Sequence, residues 1–258
     1  MLPILFEIGP FKLHSFGLMM ALAFLAATLI AARRFRRLGL DPDRASELGL
    51  GAMVGGVLGA KVYYLIDHWS DTAADPMKMI FSGSGLTWYG GLLGGVIGTL
   101  AVAKWRKVPL LWLCDLAAPS LGLSYAIGRM GCFLNGDDYG RPTDVPWAMA
   151  FPKGTPPTTT PVHPTQLYET AGGLLIFWVL SRLGDDRLGT GLIFGLYLLM
   201  AGFERFVVEF YRTNEPLAAG LTLAQWISVG LMLAGVVFVS RARAGQRKGL
   251  ATAATAGG

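Results

Sequence analysis

The chain is poor in charge. Asp, Glu, Lys and Arg make up only 15% of its 258 residues, against about 25% in a soluble globular domain. Hydrophobic residues reach 53%, and the mean hydropathy is +0.48. These values exclude a soluble enzyme and, despite a pI near 9.3, a nucleic-acid binder. Cysteine is nearly absent: Cys114 and Cys132 supply neither a disulfide framework nor a zinc site. The three histidines, His14, His68 and His163, form no ligand pair on one helix, so no metal is expected. No G-x-S-x-G elbow is present, which argues against a serine hydrolase. No fixed-period repeat stands out, which argues against an inverted-repeat transporter. Glycine is abundant, at 35 residues, but without the G-x-y period of collagen or the Pro/Ser-rich tracts of disordered chains.

What the chain does have is long apolar runs separated by short charged islands. A membrane-crossing helix needs about 20 largely apolar residues. Seven stretches qualify, at 15–33, 47–67, 86–104, 111–128, 166–183, 190–211 and 222–240. Five basic residues (Arg33, Arg34, Arg36, Arg37 and Arg44) follow the first run, and Lys104, Arg106 and Lys107 follow the third. Arg182 and Arg187 follow the fifth, and Arg241, Arg243, Arg247 and Lys248 the seventh. Together 14 of the 22 Lys and Arg residues fall on one side, which the positive-inside rule makes cytoplasmic. The expected fold is therefore all-α and polytopic, with about seven transmembrane helices, the N-terminus outside and the C-terminus in the cytoplasm. Residues 1–248 read as one membrane domain and 249–258 as a disordered cytoplasmic tail. A small external region spans about 129–165. The basic cluster follows the first run rather than preceding it, so that run reads as a span and not a cleaved signal peptide.

Two features of the spans go beyond hydrophobicity. Gly51, Gly55 and Gly59 in the second, with Gly90, Gly94 and Gly98 in the third, make small-residue ladders that let helix backbones approach in lipid. Ionisable residues, costly in a membrane, mark sites or pathways. Arg205, Glu209 and Arg212 are spaced four and three apart, giving a plus–minus–plus stripe on one helix face. It reads either as a salt-bridge ladder or as an anion site in which Glu209 steadies the Arg205 fork. A second cluster, GRMGCFLNGDDYGR at 128–141, holds four glycines and reads as a tightly turning loop with Arg129 at the membrane boundary. A third, HPTQLYE at 163–169, carries Gln166 and Glu169 into an apolar helix.

The 128–141 segment resembles the signature of the prolipoprotein diacylglyceryl transferase family, a pattern near G-R-x-G-N-F-x-N-G-E-x-x-G-R. HPTQLYE, RFVVEFYR at 205–212, LHSFGLMM at 13–20 and WYGGLLGG at 88–95 resemble further family segments in the same order. The resemblance runs from about residue 10 to 240 and implies seven spans with an outside N-terminus. It implies transfer of a diacylglyceryl group from phosphatidylglycerol to the lipobox cysteine in the signal peptide of a prolipoprotein. A thioether forms and glycerol 1-phosphate is released, with no cofactor or metal, at the bacterial cytoplasmic (inner) membrane. Arg129 and Arg205 match the family's essential arginines and would grip the phosphate. Asn135, Asp137, Gly140 and Glu209 match other signature positions at the phosphatidylglycerol site. Tyr89 stands where characterised members carry a histidine often assigned as base, and is the third candidate catalytic residue. Cys132 replaces the signature's first asparagine, and Phe16 and Ala201 replace tyrosines. Those changes define the main alternative, a non-catalytic lipid-binding relative; a small-anion transporter is the other.

Overall fold

The computed structural model describes residues 1–8, 11–81 and 87–256. It is mostly helical. Two antiparallel strands, β1 (Ile4–Ile8) and β2 (Phe11–His14), precede α1 (Ser15–Arg37) and α2 (Asp43–Asp67). Two short helices, α3 (Trp69–Ala74) and α4 (Pro76–Phe81), lead to α5 (Trp88–Trp105) and α6 (Leu110–Asn135). A second hairpin, β3 (Met149–Phe151) and β4 (Thr158–Val162), is followed by α7 (Thr165–Ser181), α8 (Leu192–Val208) and α9 (Leu223–Ala256). Among the described residues, seven helices of 17 residues or more thus fall on the seven apolar runs. Four of them, at Ser15–Arg37, Asp43–Asp67, Leu110–Asn135 and Leu223–Gly245, are long and apolar enough to cross a membrane. Residues 82–86, which close the connection between the second and third apolar runs and begin the 86–104 run, lie outside the described residues, as do 9–10 and 257–258.

Three details differ from the sequence expectation. The all-α reading misses the two small hairpins. The 68–85 connection is not plain loop: Asp75 accepts the Lys78 backbone N–H at 3.1 Å, and Thr72 Oγ1 donates to the Leu65 carbonyl at 3.0 Å, which supports α3 and α4. Most usefully, α6 does not end at 128. The GRMGCFLN stretch stays helical, so Arg129, Cys132 and Asn135 lie on a helix rather than in a loop. Gly136, at φ +79°, terminates it, with its N–H and that of Asp137 both reaching the Cys132 carbonyl. A left-handed glycine after the last turn is a common helix stop.

The chain forms two compact units, Thr28–Leu113 and the remainder. In the first, α2 and α5 meet backbone to backbone. A Cβ at Gly59 would come within 2.7 Å of Gly94 Cα, and one at Gly98 within 3.2 Å of Gly55 Cα. Only glycine fits there, as expected for the ladder. Thr87 Oγ1 donates to the Ala60 carbonyl at 3.1 Å near one end of this pair, and Arg106 pairs with Glu47 near the other. In the larger unit, Ala118, Ile176, Leu180 and Ile193 make a buried cluster joining α6, α7 and α8. Asp115 on α6, wholly buried, accepts the backbone N–H groups of Gly191 and Phe194 at 2.8 and 2.9 Å. A carboxylate from a neighbouring helix thereby caps the positive end of α8. Ser15 and Leu2 bind the β1–β2 hairpin into place, with the Leu2 N–H donating to the Leu134 carbonyl at the end of α6.

Candidate active site

The larger unit brings charged groups from three helices and one loop to a single point. At its centre is Glu169, in the first turns of α7, with no side-chain exposure. Its Oε1 accepts from the Tyr125 hydroxyl at 2.8 Å and from Arg205 Nη1 at 3.1 Å. Its Oε2 lies 3.2 Å from Arg129 Nε and 3.8 Å from Arg212 Nη1. A buried carboxylate held by this many donors is tolerable only as a pair. Each of the three arginines meets it through a single nitrogen, so one carboxylate ties three guanidiniums together.

The plus–minus–plus stripe converges in a modified form. α8 closes at Val208, and Glu209–Tyr211 tightens into a 3-10 turn before the backbone becomes extended at Arg212. Arg205 Nη2 still meets Glu209 Oε2 at 2.7 Å, and Arg212 Nε lies 3.8 Å from the same oxygen. Glu209 Oε1 accepts from Asn214 Nδ2 and Thr222 Oγ1, each at 2.7 Å. The carboxylate that steadies Arg205 is itself anchored.

The loop after α6 supplies the last acid, Asp138. Its Oδ2 is 2.7 Å from Arg129 Nη1 and its Oδ1 2.8 Å from Arg212 Nη2. Burial alone would push this carboxyl up, but Arg212, and then Arg129, hold it below the usual carboxylate range. Asp138 sits at φ +62°, just after left-handed Gly136. That reversal sends the side chains of Asp137 and Asp138 to different partners. Asp137 Oδ2 accepts from Asn135 Nδ2 at 2.7 Å, and its carbonyl accepts from Gln166 Nε2 at 2.6 Å. Gly140 donates its N–H to the His163 carbonyl at 2.9 Å, where a Cβ would come within 2.8 Å of Thr165 Cγ2. Asn135, Asp137 and Gly140 thus shape the loop that presents Asp138. Cys132 lies beside the cluster, with Sγ 3.8 Å from Arg129 Nη1.

Of the candidates read from sequence, Arg129, Arg205 and Glu209 meet directly in this cluster. Tyr89 alone belongs to the smaller unit, in the first turn of α5. The sequence reading did not assign Tyr125, Asp138, Asn214 or Thr222. Tyr125 had a signal in its spacing, four residues before Arg129 on one helix face. Choosing Asp138 over Asp137 needed the two left-handed residues, which side-chain pattern does not reveal.

Helices long and apolar enough to cross a membrane, together with a buried arginine–carboxylate cluster, define the class as a helical membrane protein. The profile of the prolipoprotein diacylglyceryl transferase family matches residues 3–241. The chain belongs to that family. Among similar proteins, the phosphatidylglycerol–prolipoprotein diacylglyceryl transferase of Nostoc sp. is 35% identical over 251 residues, covering 92% of this chain and 89% of its own. The enzyme of that name from Geobacter sulfurreducens is 34% identical over 259 residues, covering 94% of this chain and 97% of its own. That from Chromohalobacter salexigens is 36% identical over 243 residues, covering 91% and 90%.

Proposed function

We propose that this protein transfers the diacylglyceryl group of phosphatidylglycerol to the lipobox cysteine of a prolipoprotein signal peptide, forming a thioether and releasing glycerol 1-phosphate. The observation that carries the reading is the cluster of Arg129, Arg205 and Arg212 around buried Glu169, in a chain matched to the family over residues 3–241. In this reaction the thiol loses its proton and a sulfur–carbon bond forms as a carbon–oxygen bond breaks. The phosphate departs as a monoester with more negative charge than the diester had. Guanidiniums already fixed by Glu169 and Glu209 stabilise that developing charge without reorganising.

In this proposal Arg129 and Arg205 bind and activate the phosphate group. Asn135, Asp137, Gly140 and Glu209 complete the phosphatidylglycerol site. Tyr89 replaces the family histidine and hydrogen-bonds the phosphate or an ester carbonyl, since a phenol hydroxyl is a hydrogen-bond donor rather than an imidazole-like base. Residues 1–248 form one membrane domain of seven spans in the bacterial inner membrane, with the N-terminus outside and residues 249–258 as a cytoplasmic tail. The positive-inside count supports that orientation.

The test is a transfer assay with purified protein, phosphatidylglycerol and a lipobox peptide, read as the mass of the thioether, with a cysteine-to-serine peptide as control. Arg129→Ala and Arg205→Ala are each expected to lower the rate by at least about 10²–10³-fold. Full activity in either variant overturns the phosphate assignment. No thioether from folded, phosphatidylglycerol-binding protein favours the second reading, a lipid-binding relative, which Tyr89, Cys132, Phe16 and Ala201 keep in view.

A further inference from the structure

Asp138 differs from the other two acids of the cluster in how it is held. The Glu169 and Glu209 side chains are wholly buried, and Tyr125, Asn214 and Thr222 fasten them further. The Asp138 side chain is 44% exposed. Its main chain is anchored, because its carbonyl accepts from Thr165 Oγ1 at 2.8 Å and from Arg212 Nη1 at 3.0 Å. The carboxylate therefore reaches the arginines from a fixed backbone on the solvent side, where rotation about its own side-chain bonds would release it.

Its two oxygens bridge two guanidiniums, Arg129 and Arg212. Two phosphoryl oxygens accept from paired arginines in the same way. Arg205, the other proposed phosphate ligand, meets no Asp138 oxygen in the ion pairs of the cluster: Glu169 and Glu209 hold its two terminal nitrogens beside this seat, so Asp138 competes on the Arg129 and Arg212 side. Charge points the same way. Among the ion-paired groups three arginines meet three carboxylates, so the paired set as it stands is neutral and attracts an anion weakly. Rotating Asp138 into solvent leaves one positive charge, which matches the single negative charge of a phosphodiester.

We propose that Asp138 is a positioning residue that occupies the seat taken by the lipid phosphate, so that its carboxylate and the headgroup compete for Arg129 and Arg212. The proposal rests on the transferase reading for its substrate. Its signature is a sign: a carboxylate that merely supports the loop weakens lipid binding when removed, whereas a competitor strengthens it.

The experiment compares unaltered protein with Asp138→Asn, which preserves side-chain volume, and Asp138→Ala, with thermal unfolding to confirm that each is folded. The half-saturating mole fraction of phosphatidylglycerol in mixed micelles is expected to fall about fivefold in both variants. Turnover at low phosphatidylglycerol should rise accordingly, and kcat should change less than KM. An unchanged or increased half-saturation point overturns the proposal. Binding to nanodiscs of phosphatidylglycerol and of phosphatidylcholine is measured beside it, with inorganic phosphate as competitor. Tighter binding confined to phosphatidylglycerol assigns the seat to the lipid headgroup; stronger competition by phosphate assigns it to free phosphate as well. If unaltered protein makes no thioether, the transferase reading falls, and the nanodisc comparison still decides whether Asp138 competes for the seat.

Discussion

The two compact units solve one problem in opposite ways. Between residues 28 and 113, α2 and α5 associate through glycine faces, with Thr87–Ala60 and Arg106–Glu47 near the ends of the pair. The larger unit also has close glycine contacts, such as Gly122 against Gly173, but it adds three arginines and three acids. Helices in lipid gain little from hydrophobic association, so backbone contact is the ordinary means of packing them. A buried ionic cluster is not an efficient substitute, because desolvation offsets much of its Coulomb attraction. The first unit therefore reads as scaffold. In the second, the cost of burying charge points to chemistry.

The comparison breaks most severely if the scaffold is overfilled. Gly94→Leu sets a side chain against the backbone of Gly55 and Gly59, where no flexible group can yield. Overpacking of this kind costs about 3 kcal/mol or more. The expected result is a collapse in the yield of folded protein and in its thermal midpoint. Normal stability would show that the two helices separate easily, and glycine packing would lose its claim to be the scaffold.

Glu169→Gln tests the other half. Removing one charge from a buried set leaves guanidiniums uncompensated, at about 3 kcal/mol by analogy with broken buried pairs. Transfer should fall with it, since the arginines lose their common anchor. Lowered stability with full turnover would instead make the cluster a structural ladder, the bland reading of the same residues. Activity lost at unchanged stability would sharpen the contrast between units further.

Why one unit was more legible than the other follows from what sequence carries. Apolar runs and basic islands are one-dimensional signals, so all seven long helices fell on the expected stretches. The glycine ladders were equally visible, because spacing alone puts Gly51, Gly55 and Gly59 on one face. Arg129, Arg205 and Glu209 stood out as charges where lipid discourages them. The coupling between them was hidden. Glu169 was conspicuous in an apolar helix, but that it gathers three arginines depends on how α6, α7 and α8 pack. Asp138 was hidden for a different reason: two left-handed backbone positions choose it over its neighbour. Asp115 capping α8 from α6 is likewise a long-range pairing, 76 residues apart for Gly191, that no local motif announces.

Tyr89 is the one candidate residue that belongs to the smaller unit, so substitutions there ask whether that unit carries chemistry at all. Tyr89→Phe removes one hydroxyl and is expected to slow transfer about tenfold, the effect of losing a hydrogen bond to a charged group. Tyr89→His restores the group that characterised members carry and should keep or raise turnover. An inactive histidine variant, folded and binding phosphatidylglycerol, would show that the site has been rebuilt around the phenol. Unimpaired Tyr89→Phe would remove the phenol from the mechanism and leave that unit as scaffold alone.

The smallest expected effect lies at the edge of the cluster. His163 is buried against Tyr211, with ring centroids 4.9 Å apart, and its Nδ1 is 3.1 Å from the Tyr168 hydroxyl. Burial, and then the nearby Arg141 charge, hold it below the ordinary histidine value. Below about pH 6.5 the unfolded chain therefore takes up a proton that the folded chain declines, and stability falls as pH falls through that window. Asp138 is shifted the same way, held below the usual carboxylate range by Arg212 and then Arg129, so its contribution is full at neutral pH and is lost as pH drops toward its depressed folded value. The histidine window opens at about pH 6.5 and the aspartate one only at about pH 4, which makes their onsets separable. His163→Gln should flatten the thermal midpoint just below about pH 6.5 while leaving the steeper loss at lower pH in place. If the slope survives that substitution, the proton enters elsewhere, and the charged groups of the cluster itself become the source of the pH dependence.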